Sequence, residues 1–78
     1  MSKPIPARKR IEVSSGESVR IVRELQGLSQ GELSAVCGIP QSTISGIETG
    51  RINLGVVRAK TLATALHCHP AVLVFPAR

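Results

Sequence analysis

The sequence predicts an all-α fold: a compact bundle of four to five short helices behind a flexible basic N-terminal arm. Three observations carry that expectation. With 78 residues there is room for one domain and one small core. Apolar residues make up 42% but aromatics only 1%, Phe75 alone, so the core must be built from Val, Ile, Leu and Ala. Those aliphatic residues recur at i, i+3, i+4 spacing in short runs closed by glycine. The arm is assigned to residues 1–13 and the folded domain to residues 14–78.

The arm carries Pro4 and Pro6, four of the ten basic residues (Lys3, Arg8, Lys9, Arg10) and little periodicity. Only Ile11-Glu12-Val13 alternates in the manner of a short extended segment. Ser14-Ser15-Gly16-Glu17 then fits a capping box that opens helix 1. The helix runs to about Gln26, where Gly27 supplies a left-handed stop. Val19, Val22 and Gln26 line one face, and Ile21, Leu25 and Leu28 a second, which the arm or another chain would cover.

Helix 2 opens at Ser29, again with a glutamate, Glu32, three residues on. Leu33, Val36 and Cys37 form its inward stripe, Gly38 ends it, and Ile39 turns inward at the corner. Pro40 lacks an amide hydrogen and has a preset φ, so it suits the start of helix 3. That helix runs from about Gln41 to Thr49 with Ile44, Ile47 and Glu48 inward, and Gly50 closes it. A loop from Arg51 to Gly55 leads to helix 4, Val56 to about His67, whose inward residues are Ala59, Leu62, Ala63 and Leu66. Pro70 to Phe75 is assigned to a short final helix, although Val72, Val74 and Phe75 also suit a strand. The apolar residues Val72 to Phe75 serve either as core filling or as a dimer seam.

Composition narrows function. The net charge of +5 points to a polyanionic partner. The arm holds most of that excess, and the rest of the chain is near neutral. A catalytic cleft with its supporting shell is hard to house at this size, so the chain is read as no enzyme. No Ser/His/Asp or Cys/His arrangement and no Gly-rich phosphate loop is written into it. His67-Cys68-His69 invites a zinc proposal, but three neighbouring residues cannot all point at one ion from a helix. No metal and no cofactor is expected. Cys68 is assigned to the core, and His67 and His69 to capping carbonyls at the end of helix 4. No run reaches the ~20 apolar residues of a membrane span, and no leader is apparent. The expectation is a cytoplasmic protein with both thiols reduced.

Helices 2 and 3 flank a Gly-containing corner, and helix 3 offers solvent a row of small hydrogen-bonding side chains. That is the pattern of a helix-turn-helix, whose second helix enters the DNA major groove. The alternative for the same residues is a helical hairpin that only packs, with Gln41, Ser42, Thr43 and Ser45 as an ordinary solvated face.

Leu28-Ser29-Gln30-x-Glu32-Leu33, then Gly38-Ile39, then Ser42-Thr43-Ile44-Ser45-x-Ile47-Glu48-x-Gly50, resembles the lambda-repressor-like group, also called the Cro/C1 or XRE type. The resemblance spans roughly Ser15 to Phe75 and continues through Ala63-Thr64-Ala65-Leu66. It implies a DNA-binding transcriptional regulator working as a homodimer on an approximately palindromic operator in double-stranded DNA. It places Ser29 and Gln30 at phosphates and Gln41, Ser42, Thr43 and Ser45 at base edges. By the same resemblance Thr49, Arg51 and Asn53 are expected to touch backbone, and Arg23 and Glu48 to form a partly buried ion pair bridging helix 1 to helix 3. Two residues depart from the pattern. Gly46 stands where many members carry a longer base-reading side chain, and it weakens the helix by up to ~1 kcal/mol against Ala. Pro40 replaces a common Ser or Thr cap. Small members of the group also serve as antitoxins, which hold a toxin protein and bind their own promoter; Ile21/Leu25 and Val72–Phe75 are the matching partner surfaces. A third possibility is an adaptor that keeps the fold without binding DNA.

Overall fold

The structure is a computed structural model that describes residues 14–74. The expected basic arm, Phe75 and Arg78 lie outside the described residues. Five helices follow in order: α1 Ser15–Leu25, α2 Gln30–Cys37, α3 Gln41–Glu48, α4 Val56–Ala65 and α5 Pro70–Val74. No strand occurs among the described residues.

Local chemistry sets most of the helix ends. The Ser14 hydroxyl accepts from the Glu17 amide at 3.1 Å while Glu17 accepts from the Ser14 amide at 3.0 Å. Ser29 and Glu32 repeat the arrangement at 3.0 and 2.7 Å. Two orphan amides at each helix start are thereby satisfied. At the end of α1, Gly27 takes φ +73°, and the Leu28 amide reaches back to the Arg23 carbonyl at 3.1 Å. This reversal carries Leu28 off the helix and against the core. Leu28 therefore does not share the outer face with Ile21 (45% exposed) and Leu25 (80%), contrary to the sequence expectation.

α4 ends the same way without a glycine. Leu66 is its cap, the Cys68 amide donates to the Ala63 carbonyl at 2.9 Å, and His67 supplies the left-handed residue at φ 56°. The helix thus stops at Ala65, slightly short of the expected end. His67→Gly should stabilise the fold by about 0.5–1 kcal/mol, because only the Cβ strain is removed. Urea unfolding would check this, and a lower midpoint would refute it. His69 does not cap α4 carbonyls as expected: its Nδ1 accepts from the Ala71 amide at 3.0 Å, so it serves the start of α5. The carbonyl of Leu66 instead receives the Gln26 side-chain amide, which ties α1 to the end of α4.

The core is aliphatic: Val19, Leu33, Ile44, Ile47, Leu54, Ala59, Leu62, Ala63, Leu66 and Leu73 are buried. α1 packs on α3 and α5, α2 on α3 and α4, and α4 on α5. Val36 is an exception to the expected stripe at 63% exposed. The inward arc of α2 runs through Leu33, Cys37 and Ser34, whose hydroxyl donates to the Ile39 carbonyl at 2.6 Å. Each residue turns 100°, so Val36 falls beyond the edge of that arc. No helix is long and apolar enough to cross a membrane among the described residues.

Candidate nucleic-acid interface

The corner between α2 and α3 is built by three residues. Gly38 takes φ +80°, with its amide on the Ser34 carbonyl at 2.8 Å. Ile39 packs against the core. Pro40 precedes the first helical residue, at φ −55° and ψ 143°, and makes no side-chain cap. Its carbonyl receives the amides of Thr43 and Ile44, both at 3.0 Å, which starts α3.

α3 is fixed from beneath by Ile44, Ile47 and Glu48, all buried. Arg23 of α1 grips Glu48 through Nε at 2.8 Å and Nη2 at 3.0 Å. Its Nη1 donates to the Leu28 carbonyl at 2.7 Å, so one guanidinium ties α1, the first interhelical turn and α3. The hydrogen bonds to Glu48 are the main cause pushing the Arg23 guanidinium above its ordinary range, against an opposing effect of burial. A fork-to-fork bond of this kind is both strong and directional.

The residues expected at phosphates and bases fall into two groups. At the near end, Ser29 is exposed but its hydroxyl is engaged in the cap, and Gln30 is half-buried. Gln30 Nε2 donates to Glu48 Oε1 at 3.0 Å. That bond had no signal in the sequence, because it joins residues eighteen positions apart. Gln41 is exposed on the first turn of α3 and lies close to α2, since a Cβ on Gly31 would stand 3.4 Å from Gln41 Oε1. Ser42 is exposed, whereas Thr43 and Ser45 are half-buried.

At the far end Thr49, Arg51 and Asn53 are all exposed, and the Thr49 hydroxyl donates to the Ser45 carbonyl at 3.0 Å. Gly46 is not an empty place in a groove-facing row. It is buried, and a Cβ there would meet Ile52 Cδ1 at 2.5 Å. After Gly50 the chain folds back, the Ile52 amide bonds the Gly46 carbonyl at 3.0 Å, and the Ile52 side chain covers the glycine. The missing side chain at this position admits the loop that carries Arg51 and Asn53.

Both thiols are free and half-buried, and burial pushes the Cys68 thiol up. Among the described residues no three His, Cys, Asp or Glu side chains gather where they could hold a metal.

The sequence model described as Helix-turn-helix matches residues 19–73. The restriction-modification controller protein C.AhdI from Aeromonas hydrophila is 38% identical over 78% of this chain and 92% of its own, with a TM-score of 0.74. The P22 c2 repressor, solved with a synthetic operator, is 25% identical over 82% and 97%, with a TM-score of 0.74. A hypothetical transcription factor, NHTF from Neisseria, is 25% identical over 97% and 87%, with a TM-score of 0.76. No protein of curated function matches the sequence. On its matched span and its five-helix fold, the chain belongs to the helix-turn-helix family, of the Cro/C1 or lambda-repressor-like DNA-binding type.

Proposed function

We propose that the protein is a transcription regulator that binds double-stranded DNA as a homodimer on an approximately palindromic operator. The observation that carries this reading is the pose of α3. Its apolar side and Glu48 are locked into the core, while Gln41, Ser42 and Thr49 stand open to solvent on the other side. Gln41, Ser42, Thr43 and Ser45 meet base edges in the major groove, Gln41 pairing with adenine through its two-sided amide. Ser29, Gln30, Thr49, Arg51 and Asn53 set register on phosphates. Residues 1–13 form a basic arm that adds charge or a minor-groove contact, and residues 14–78 form the reading domain. Two subunits address half-sites about 34 Å apart. About 4–6 phosphate contacts per subunit make affinity fall steeply with salt. The protein needs no cofactor, catalyses no reaction and acts in the cytoplasm. Likeness to a restriction-modification controller protein and to a repressor solved with a synthetic operator supports the regulatory reading.

In vitro selection of bound duplexes tests it, with one enriched palindrome expected. Binding that shows no preference between any selected duplex and random DNA would overturn it. Within that experiment, Gln41→Ala should cost about 1–3 kcal/mol of preference at the selected site while changing affinity for random DNA little. Equal preference before and after the substitution would remove Gln41 from base reading.

A second reading, an antitoxin that also binds a toxin protein, is favoured by one feature: Ile21 and Leu25 are 45% and 80% exposed side by side on α1. Co-purification with a small neighbouring gene product that is released by Leu25→Glu would support it. A homodimer indifferent to that substitution would count against it.

A further inference from the structure

Charge is divided unevenly across the described body. From Ser14 to Glu48 there are two cations, Arg20 and Arg23, against four carboxylates, and both cations are engaged by glutamates. From Thr49 to Val74 there are three cations, Arg51, Arg58 and Lys60, and no carboxylate. The near-neutral body read from the sequence is therefore two segments of opposite sign. The positive one begins where α3 ends. Within it, Arg58 on the first turn of α4 reaches back to the loop that leaves α3, and its Nη1 donates to the Asn53 carbonyl at 3.2 Å. The side chain is exposed, and a guanidinium carries five N–H donors, so one bond positions the group while four donors remain.

We propose that Arg58 is a phosphate-contacting residue of the DNA interface, its guanidinium preset beside the Arg51–Asn53 loop by the Asn53 carbonyl. The inference rests on the DNA-binding function proposed above and adds a contact from α4. The planar fork suits a phosphate better than a lysine does. Because the bond to Asn53 already restricts the side chain, less conformational freedom is lost when a phosphate arrives. The same bond steadies the carbonyl of Asn53, so Arg58 positions the loop as well as extending its charge. Lys60 sits two residues along the same helix, where the 200° turn directs it away from Arg58.

The test uses the full chain and a labelled duplex of random sequence, with affinity measured by fluorescence anisotropy across a series of NaCl concentrations. Arg58→Ala should weaken binding roughly 3–10-fold and lower the slope of log affinity against log salt by about one. Lys60→Ala removes the same charge and should change the slope by less than half as much. Arg58→Lys should keep the wild-type slope, whereas Arg58→Gln, which retains a donor for the Asn53 carbonyl, should show the reduced one. Circular dichroism melting confirms that the compared variants are folded. Wild-type binding with an unchanged slope in both Arg58→Ala and Arg58→Gln would overturn this contact alone. Equal losses in Lys60→Ala and Arg58→Ala would also overturn it, by reducing the effect to net charge. A wild-type chain silent on every duplex would instead remove the DNA-binding reading, and this contact with it.

Discussion

Gly16→Ala is expected to cost about 3 kcal/mol or more of folding stability, in a chain whose helix propensity it improves. A Cβ at Gly16 would stand 2.0 Å from the Ile47 carbonyl oxygen and 3.0 Å from its carbon. Both are backbone atoms of α3, so neither can swing aside as a side chain would. Relief requires α1 to move off α3, which opens contacts around Val19, Ile44 and Ile47, all buried. Overpacking of a dense interior typically costs about 1–3 kcal/mol, more where backbone must move. The gain of up to ~1 kcal/mol from replacing helical glycine does not offset it. Small domains hold roughly 5 kcal/mol in total, so the melting temperature should drop by about 12 °C or more. Gly31→Ala is the control: its Cβ would meet only side-chain atoms, Gln41 Oε1 nearest at 3.4 Å and Ser29 Oγ at 3.9 Å, and stability should hold or rise. A Gly16→Ala melt close to wild type would mean that α1 and α3 are not in backbone contact.

Glu48→Ala is expected to cost about 3–5 kcal/mol, because it leaves the Arg23 guanidinium buried without its partner. The Arg23 and Glu48 side chains are only 10% and 3% exposed, so water cannot replace the lost carboxylate. The joint replacement Arg23→Met with Glu48→Leu should recover most of the loss, since two apolar side chains tolerate the same burial. It should not recover all of it: the Leu28 carbonyl loses the Arg23 Nη1 donor and Gln30 loses its acceptor, about 1 kcal/mol for each bond. Urea unfolding of the two single variants and the double variant gives the coupling energy directly. Additive losses would show that the pair contributes no interaction of its own. Wild-type stability in Glu48→Ala would show that Arg23 finds water instead.

The parts of the fold legible in the sequence are those set within three or four residues. Ser14 with Glu17 and Ser29 with Glu32 define helix starts because each box is closed by its own first turn. Gly27 and Gly38 mark helix ends because their positive φ is a local requirement. The Arg23–Glu48 pair joins residues far apart in the chain, and only the family resemblance points to it. Of the polar row expected on α3, Gln41 and Ser42 are exposed while Thr43 and Ser45 are half-buried; Thr49, Arg51 and Asn53, which the family resemblance alone singles out, are exposed. Nothing local announced that Gln30 would be held by Glu48 or that Arg58 would reach Asn53.

Periodicity also misplaced particular residues. Val36 has the right spacing for the core and still lies outside it, because an eight-residue helix can rotate to favour Ser34 and Cys37. Leu28 looked like part of an outer stripe until the turn at Gly27 pulled it in. His69 follows the end of α4 in the chain but serves the start of α5.

By itself, then, the order of residues determined an aliphatic all-helical bundle, the capped starts of α1 and α2 and their glycine-marked ends, and the polar flank of α3. Those features follow from capping, glycine conformation and hydrophobic period, each of which acts over a single turn. Only the packed structure decided that Gly16 is a backbone contact, that Gly46 is the seat of Ile52, and that Arg58 belongs beside Asn53. The first depends on how closely α1 meets α3, and the other two on how the loop after α3 folds back over Gly46 and toward the start of α4. Packing sets those approaches over spans longer than the single turn that capping and period describe.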